Sequence, residues 1–204
     1  MWSRDMKCSR KILIYVEGET DKTFYQCLKQ VIREDLFDGK FQSEVPAPVN
    51  LAGIGNVKKK LIGKFKAERK KDENKGKELN VVICYDRDVF LTGESQKKPP
   101  VNWEKLKEEL IKEGAASVGL ISAKECIEDW FAIDEMGIRK YLRLPQKCTY
   151  VKSKNGNVIN NLYKKANKTY LKGGNASELI KSLDIRKIFE VIKEDVQPLL
   201  DVLR

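Results

Sequence analysis

The stretch Lys11-Ile-Leu-Ile-Tyr-Val-Glu-Gly-Glu-Thr-Asp21 sets what this chain can become. Residues 12–16 are uniformly apolar and the run stops on Glu17 and Gly18. A short, β-branched-rich run without polar alternation, bounded by glycine, reads as a strand buried on both faces, the habit of parallel sheets. In open α/β sheets, ligands bind beyond the carboxyl ends of the strands, and Glu17 stands at such an end. Gly18 permits a sharp turn or a close approach. Thr20 is placed to cap a helix running from Asp21 through Phe24, Leu28, Val31 and Ile32, over residues 21–34.

A second run repeats the pattern. Val81-Val-Ile-Cys-Tyr-Asp-Arg-Asp88 is a strand that again ends on acids, Asp86 and Asp88, which the period of two turns to one side with Arg87 opposite. Residues 115–122 read as a third buried strand, followed by Lys124 and Glu125 and by a helix over residues 126–134, then another near residues 136–142. Between them, residues 103–113 form a helix with Trp103, Leu106, Leu110 and Ile111 inward. Pro46 and Pro48 exclude a helix before Leu51, leaving an extended edge strand over residues 45–51. The alternation of strands and helices predicts an α/β fold, a mostly parallel sheet with helices on both faces. Beyond residue 145 the composition shifts to Lys, Asn and Gly. Residues 158–166 read as a helix, and residues 177–203 as one or two amphipathic helices broken near Asp184 and Pro198. This suggests an α/β body over residues 1–144 and a mainly helical extension over residues 145–204.

Composition narrows the chemistry. The 204 residues contain no histidine, which removes Ser-His-Asp and Cys-His catalysis and His-ligated zinc. Five cysteines without a Cys-x-x-Cys spacing read as reduced thiols. No apolar run approaches the ~20 residues of a membrane span, and the first residues lack the apolar core of a signal peptide. A cytoplasmic location is expected.

The net charge of +10 favours a polyanionic partner, most simply nucleic acid. Lys58, Lys59, Lys60 and Lys64 are the candidate phosphate-contacting face, with a solvated helix surface as the alternative. Before them, Gly53-Ile-Gly55 is either a tight turn or a phosphate cradle at a helix N-terminus. The charged residues 66–78 read as a frayed helix end and a loop. Tyr150, Tyr163 and Tyr170 interleave with lysines, as a base-stacking surface would, although ordinary packing of the tail helices is the stronger explanation. Trp130, Phe131 and Ile133 read as core.

Acids at two strand ends repel one another and resist burial unless a cation joins them. Oxygen donors of this kind suit Mg²⁺ or Mn²⁺. The structural alternatives are a helix cap for Asp86 and a pairing of Glu17 with Arg87 or a lysine. With Glu17-Gly18 after one strand and Asp86-Arg-Asp88 after a later one, residues 11–135 resemble the Toprim domain. That domain is shared by topoisomerases, bacterial-type primases and the overcoming-lysogenisation-defect nucleases. Glu128-Asp-Trp130 and the stretch from Tyr163 to Gly173 are similar to the small stand-alone members related to RloB.

The resemblance implies a Toprim-like fold and a bacterial, metal-dependent nuclease acting on DNA or RNA, with a role in defence against phage or mobile elements. Its implied metal ligands are Glu17, Asp21, Asp86, Asp88 and Glu128. Glu17 doubles as general acid or base, Lys124 neutralises transition-state charge, and Arg87 joins the nucleic-acid contacts. It also leaves room for oligomers and for a separate ATPase or other defence-system partner, since no Gly-x4-Gly-Lys-Ser/Thr loop is encoded. The rival expectation is a non-catalytic or partner-dependent nucleic-acid binder. A nucleotidyl- or phosphotransferase is a third.

Overall fold

The structure is a computed structural model that describes residues 9–53, 57–87, 101–123, 126–145, 158–174 and 176–204. Its centre is a four-stranded, all-parallel sheet in the order β2-β1-β3-β4, formed by β1 (Arg10–Val16), β2 (Val49–Asn50), β3 (Glu78–Tyr85) and β4 (Ser117–Ser122). The two uniformly apolar runs are the two central strands, as burial on both faces requires. The period of two divides them between two cores. Ile12, Ile14, Val16, Val82 and Cys84 face α1 (Glu19–Leu36), α4 (Ile127–Phe131) and the C-terminal helices. Leu13, Tyr15, Val81 and Ile83 face α2 (Val57–Arg69) and α3 (Trp103–Lys112). The fold is therefore α/β, with helices on both faces of the sheet.

Helix α5 (Glu135–Leu142) ends the body as expected, and the C-terminal part is helical but in more pieces: α6 (Val158–Lys165), α7 (Ala176–Ser182), α8 (Ile185–Ile192) and α9 (Gln197–Leu203). Asp184 caps α8, its side chain accepting from the Lys187 amide at 3.0 Å. Pro198 begins α9 instead of breaking a helix, because the first turn has no use for its missing N–H. Ile159, Leu162, Leu179, Ile188, Phe189 and Leu199 share one apolar core with β1 and α1. Gly119 of β4 lets α9 sit close, since a Cβ there would lie 3.0 Å from Pro198 Cβ.

Several local expectations are corrected. Helix α1 starts two residues earlier than Asp21, with Gly18 as its N-cap, so Thr20 is a buried first-turn residue and not a cap. Ile111 points outward at 47% exposure while Leu106 and Leu110 are buried. Strand β4 lies at the sheet edge and is half-buried except at Ile121. Residues 66–78 are not a frayed end. Helix α2 continues to Arg69, a 3₁₀ turn spans Asp72–Asn74, and Glu68 and Asn74 reach the buried Lys11. The Gly-x-Gly turn is only partly visible, residues 54–56 lying outside the described residues.

Candidate functional site

Strands β1 and β3 run parallel with Val16 opposite Cys84, so the chain leaves the sheet at Glu17 and at Asp86 on neighbouring strands, roughly 4.8 Å apart across the ladder. Gly18 is extended (φ −139°, ψ 179°) and needs no left-handed freedom. Its role is space: a Cβ would lie 3.2 Å from Asp21 Oδ2. Asp21 is thereby drawn in at the first turn of α1, 2% exposed. Beyond β2, the chain turns through Ala52 (φ 54°) and Gly53 (φ 93°), and the Gly53 amide donates to the Glu17 carbonyl at 2.9 Å. Glu17, Thr20, Asp21, Gly53, Lys172 and Gly173 line a cleft of about 310 Å³ at this end of the sheet.

Asp86 and Glu128, 2% and 3% exposed, connect to this cleft through Lys172. Asp86 Oδ1 accepts from the Ile127 amide at 2.9 Å, which fixes the carboxylate against the start of α4. Its Oδ2 is 2.6 Å from Lys172 Nζ, and the same ammonium is 3.6 Å from Glu128 Oε2. Glu128 Oε1 accepts from the Tyr170 hydroxyl at 3.0 Å. The Gly173 amide donates to Thr20 Oγ1 at 2.8 Å, so the connection between α6 and α7 is fastened across the cleft.

The electrostatics follow from burial. Desolvation, helped by the charges of Asp86 and Glu17 and opposed by Lys172, raises the Asp21 carboxyl to about 7. Burial works against the Lys172 charge, but Asp86 and Glu128 outweigh it and hold the ammonium above the ordinary lysine range. Burial and the neighbouring Glu128 carboxylate likewise raise the Tyr170 phenol.

Of the residues singled out from sequence, Glu17 and Asp21 share the cleft wall, and Asp86 and Glu128 share Lys172, which lines that same wall. Asp88 and Lys124 lie outside the described residues. Arg87 is exposed, its Nε donating to Ser122 Oγ at 3.0 Å across the ends of β3 and β4. On α2, Lys59 and Lys64 are exposed and Lys60 is half-buried, while Lys58 pairs with Glu109 at 2.7 Å. Among the described residues, Tyr163 and Tyr170 do not form a stacking surface. Tyr163 is buried and packs edge-on against Tyr170, which is committed to Glu128, while Tyr150 is outside the described residues. Trp130 and Phe131 are core.

Lys172 is the site residue that sequence reading misses. Its signal is indirect: several buried acids need a counter-charge, and a Lys-Gly pair in a polar connection can reach them. The oxygens of Glu17, Asp21, Asp86 and Glu128 are of the hard type that ligates divalent cations. Among the described residues, no three acidic or thiol side chains already form a cage for an ion. Compared with known proteins, the chain matches no family model, no curated protein and no solved structure.

Proposed function

We propose that this chain is a Toprim-type, divalent-metal-dependent nuclease that hydrolyses phosphodiester bonds in DNA or RNA. The observation that carries the reading is that Lys172, which lines the cleft beside Glu17 and Asp21, pairs its ammonium with Asp86 and Glu128, so acids from two strand ends and two helices converge on one lysine. A cation sitting among these oxygens supports their fitness for a positive charge, and their chemistry suits Mg²⁺ or Mn²⁺. Glu17, Asp21, Asp86 and Glu128 would hold the ion, with Asp88 added by the resemblance. When bound, such an ion supplies a water of lowered pKa and stabilises charge on a phosphoryl group.

The chain's own residues do the remainder. Asp21, whose carboxyl burial lifts to about 7 without a bound ion, would give up its proton on taking up a cation. Asp86 is pinned by the Ile127 amide, so its second oxygen is aimed at the cleft side. The exposed lysines of α2, which follows the cleft-lining Ala52 and Gly53, offer a path for a phosphate backbone.

No helix among the described residues is long and apolar enough to cross a membrane, in keeping with a cytoplasmic nuclease. The resemblance adds a bacterial defence role and a separate ATPase partner. Incubation with Mn²⁺ and plasmid, single-stranded DNA or tRNA tests the activity. Cleavage is expected from the native chain and not from the folded D86A/D88A variant, and cleavage that survives the double change eliminates the proposal.

A second reading, a nucleic-acid binder without catalysis, is favoured by one observation: the Lys172 ammonium already pairs with both Asp86 and Glu128. Binding of the same substrates without cleavage, and without a Mn²⁺-induced rise in Tm, selects it.

A further inference from the structure

We propose that Lys172 is a tethered counter-ion, its ammonium standing where a divalent cation would sit between Asp86 and Glu128, and that an arriving ion displaces it and frees the strap that carries it. The inference rests on the metal reading above and adds how ion entry is regulated. Lys172 Nζ lies 2.6 Å from Asp86 Oδ2 and 3.6 Å from Glu128 Oε2, so lysine and ion compete for the same two carboxylates. Burying two carboxylates at 2% and 3% exposure is costly unless a positive charge lies beside them. Lys172 provides it from a flexible four-carbon stem whose side chain is still 46% exposed, so a path back to water is open.

Three contacts of the strap reach across the cleft. Tyr170 bonds Glu128, Lys172 bonds Asp86, and the Gly173 amide bonds Thr20. The first two are made to carboxylates that an ion would claim, whereas the Gly173–Thr20 bond is independent of them. Left-handed residues bound the segment, Asn167 at φ 53° and Gly173 at φ 81°. Ion binding and strap docking therefore oppose each other, and the opposition is reciprocal. A phosphate backbone in the cleft offers the displaced ammonium a new partner, so polyanion and ion assist each other.

The test measures Mn²⁺ affinity of the metal-free protein by titration calorimetry for wild type and K172M. It also follows acetylation of Lys172 in the wild type by mass spectrometry with and without Mn²⁺. K172M is expected to bind Mn²⁺ roughly tenfold tighter or more, and Lys172 is expected to be acetylated several-fold faster once Mn²⁺ is present. If wild type binds Mn²⁺ but K172M binds equally or more weakly, or Lys172 labelling is unchanged by the ion, the counter-ion proposal falls while the metal reading stands. If neither protein binds Mn²⁺, the metal reading falls and this one with it. Should K172M not fold, the labelling of the wild type decides alone.

Discussion

Tyr170 donates its hydroxyl to Glu128 Oε1 at 3.0 Å, joining the connection before α7 to the first turn of α4. The acceptor is 3% exposed, so removing the donor leaves a buried carboxylate oxygen short of a partner. Y170F keeps the edge-on packing against Tyr163, with ring centroids 5.3 Å apart, and tests the hydroxyl alone. The expected cost is about 1–3 kcal/mol, a fall in Tm of roughly 2–4 °C per kcal/mol for a chain of this size. Thermal unfolding in EDTA reads it, and an unchanged Tm refutes a structural role for the bond.

Asp21 makes stability depend on pH in a direction opposite to most carboxylates. Its folded value of about 7 lies above the ordinary 3.8, so between those limits the folded state holds the proton more firmly. Stability without metal therefore falls as pH rises from about 4 to about 7, and the full penalty is present above 7. The ceiling is on the order of 4 kcal/mol. D21N removes the ionisation, so it is expected to flatten this slope and to be more stable than wild type at pH 8. Urea unfolding across pH 4–8 in EDTA checks it; a D21N profile parallel to wild type contradicts the assignment.

At the opposite end of the sheet, Lys11 is 3% exposed and bonds Glu44 at 2.8 Å, Glu68 at 2.7 Å and Asn74 at 3.2 Å. Burial pushes Glu68 up, but its bonds to Lys11, Lys71 and Asn74 outweigh this and lower it to about 2. That lowered value contributes stability above the unfolded pKa near 4.5, lost as pH falls towards 2. K11M is expected to destabilise by about 2–4 kcal/mol at pH 7, the lower part of the range for a broken buried pair because Glu44 keeps access to water. The gap to wild type should narrow at pH 3, where the carboxylates of K11M, no longer held down by Lys11, take up protons. Denaturation at the two pH values measures both, and a constant gap rules out the electrostatic origin.

What was legible in the sequence is what local pattern encodes. Residues 12–16 and 81–84 announce central parallel strands because burial on both faces erases polar alternation, and the acids that end them fall at one edge because parallel strands share a direction. Glu128 lies on a helix whose apolar neighbours, Trp130 and Phe131, fix its orientation in the core. Lys172 and Lys11 were not legible. Their partners lie across the chain, Asp86 being 86 positions from Lys172, and no periodicity distinguishes a lysine that pairs inside from the many that face water. Thr20 misled for a related reason: its hydroxyl satisfies the distant Gly173 amide instead of its own helix.

The basic face of α2 separates binding from folding. Lys58 and Lys66 hold α3 through Glu109 and Glu113, at 2.7 Å and 2.9 Å, so changing them disturbs packing. Lys60 and Lys64 make no ion pair among the described residues and stand one helical turn apart, where like charges repel by about 0.2–0.5 kcal/mol. K60A/K64A is therefore expected to leave Tm unchanged or slightly raised. If both lysines touch phosphates, affinity for duplex DNA falls and the slope of log K against log salt becomes shallower by about 1.8, roughly 0.9 for each phosphate no longer neutralised. Fluorescence polarisation at several salt concentrations measures the slope. An unaltered slope with an unaltered Tm would place the nucleic-acid path elsewhere on the molecule, with Arg87 at the rim of β3 and β4 the next residue to change.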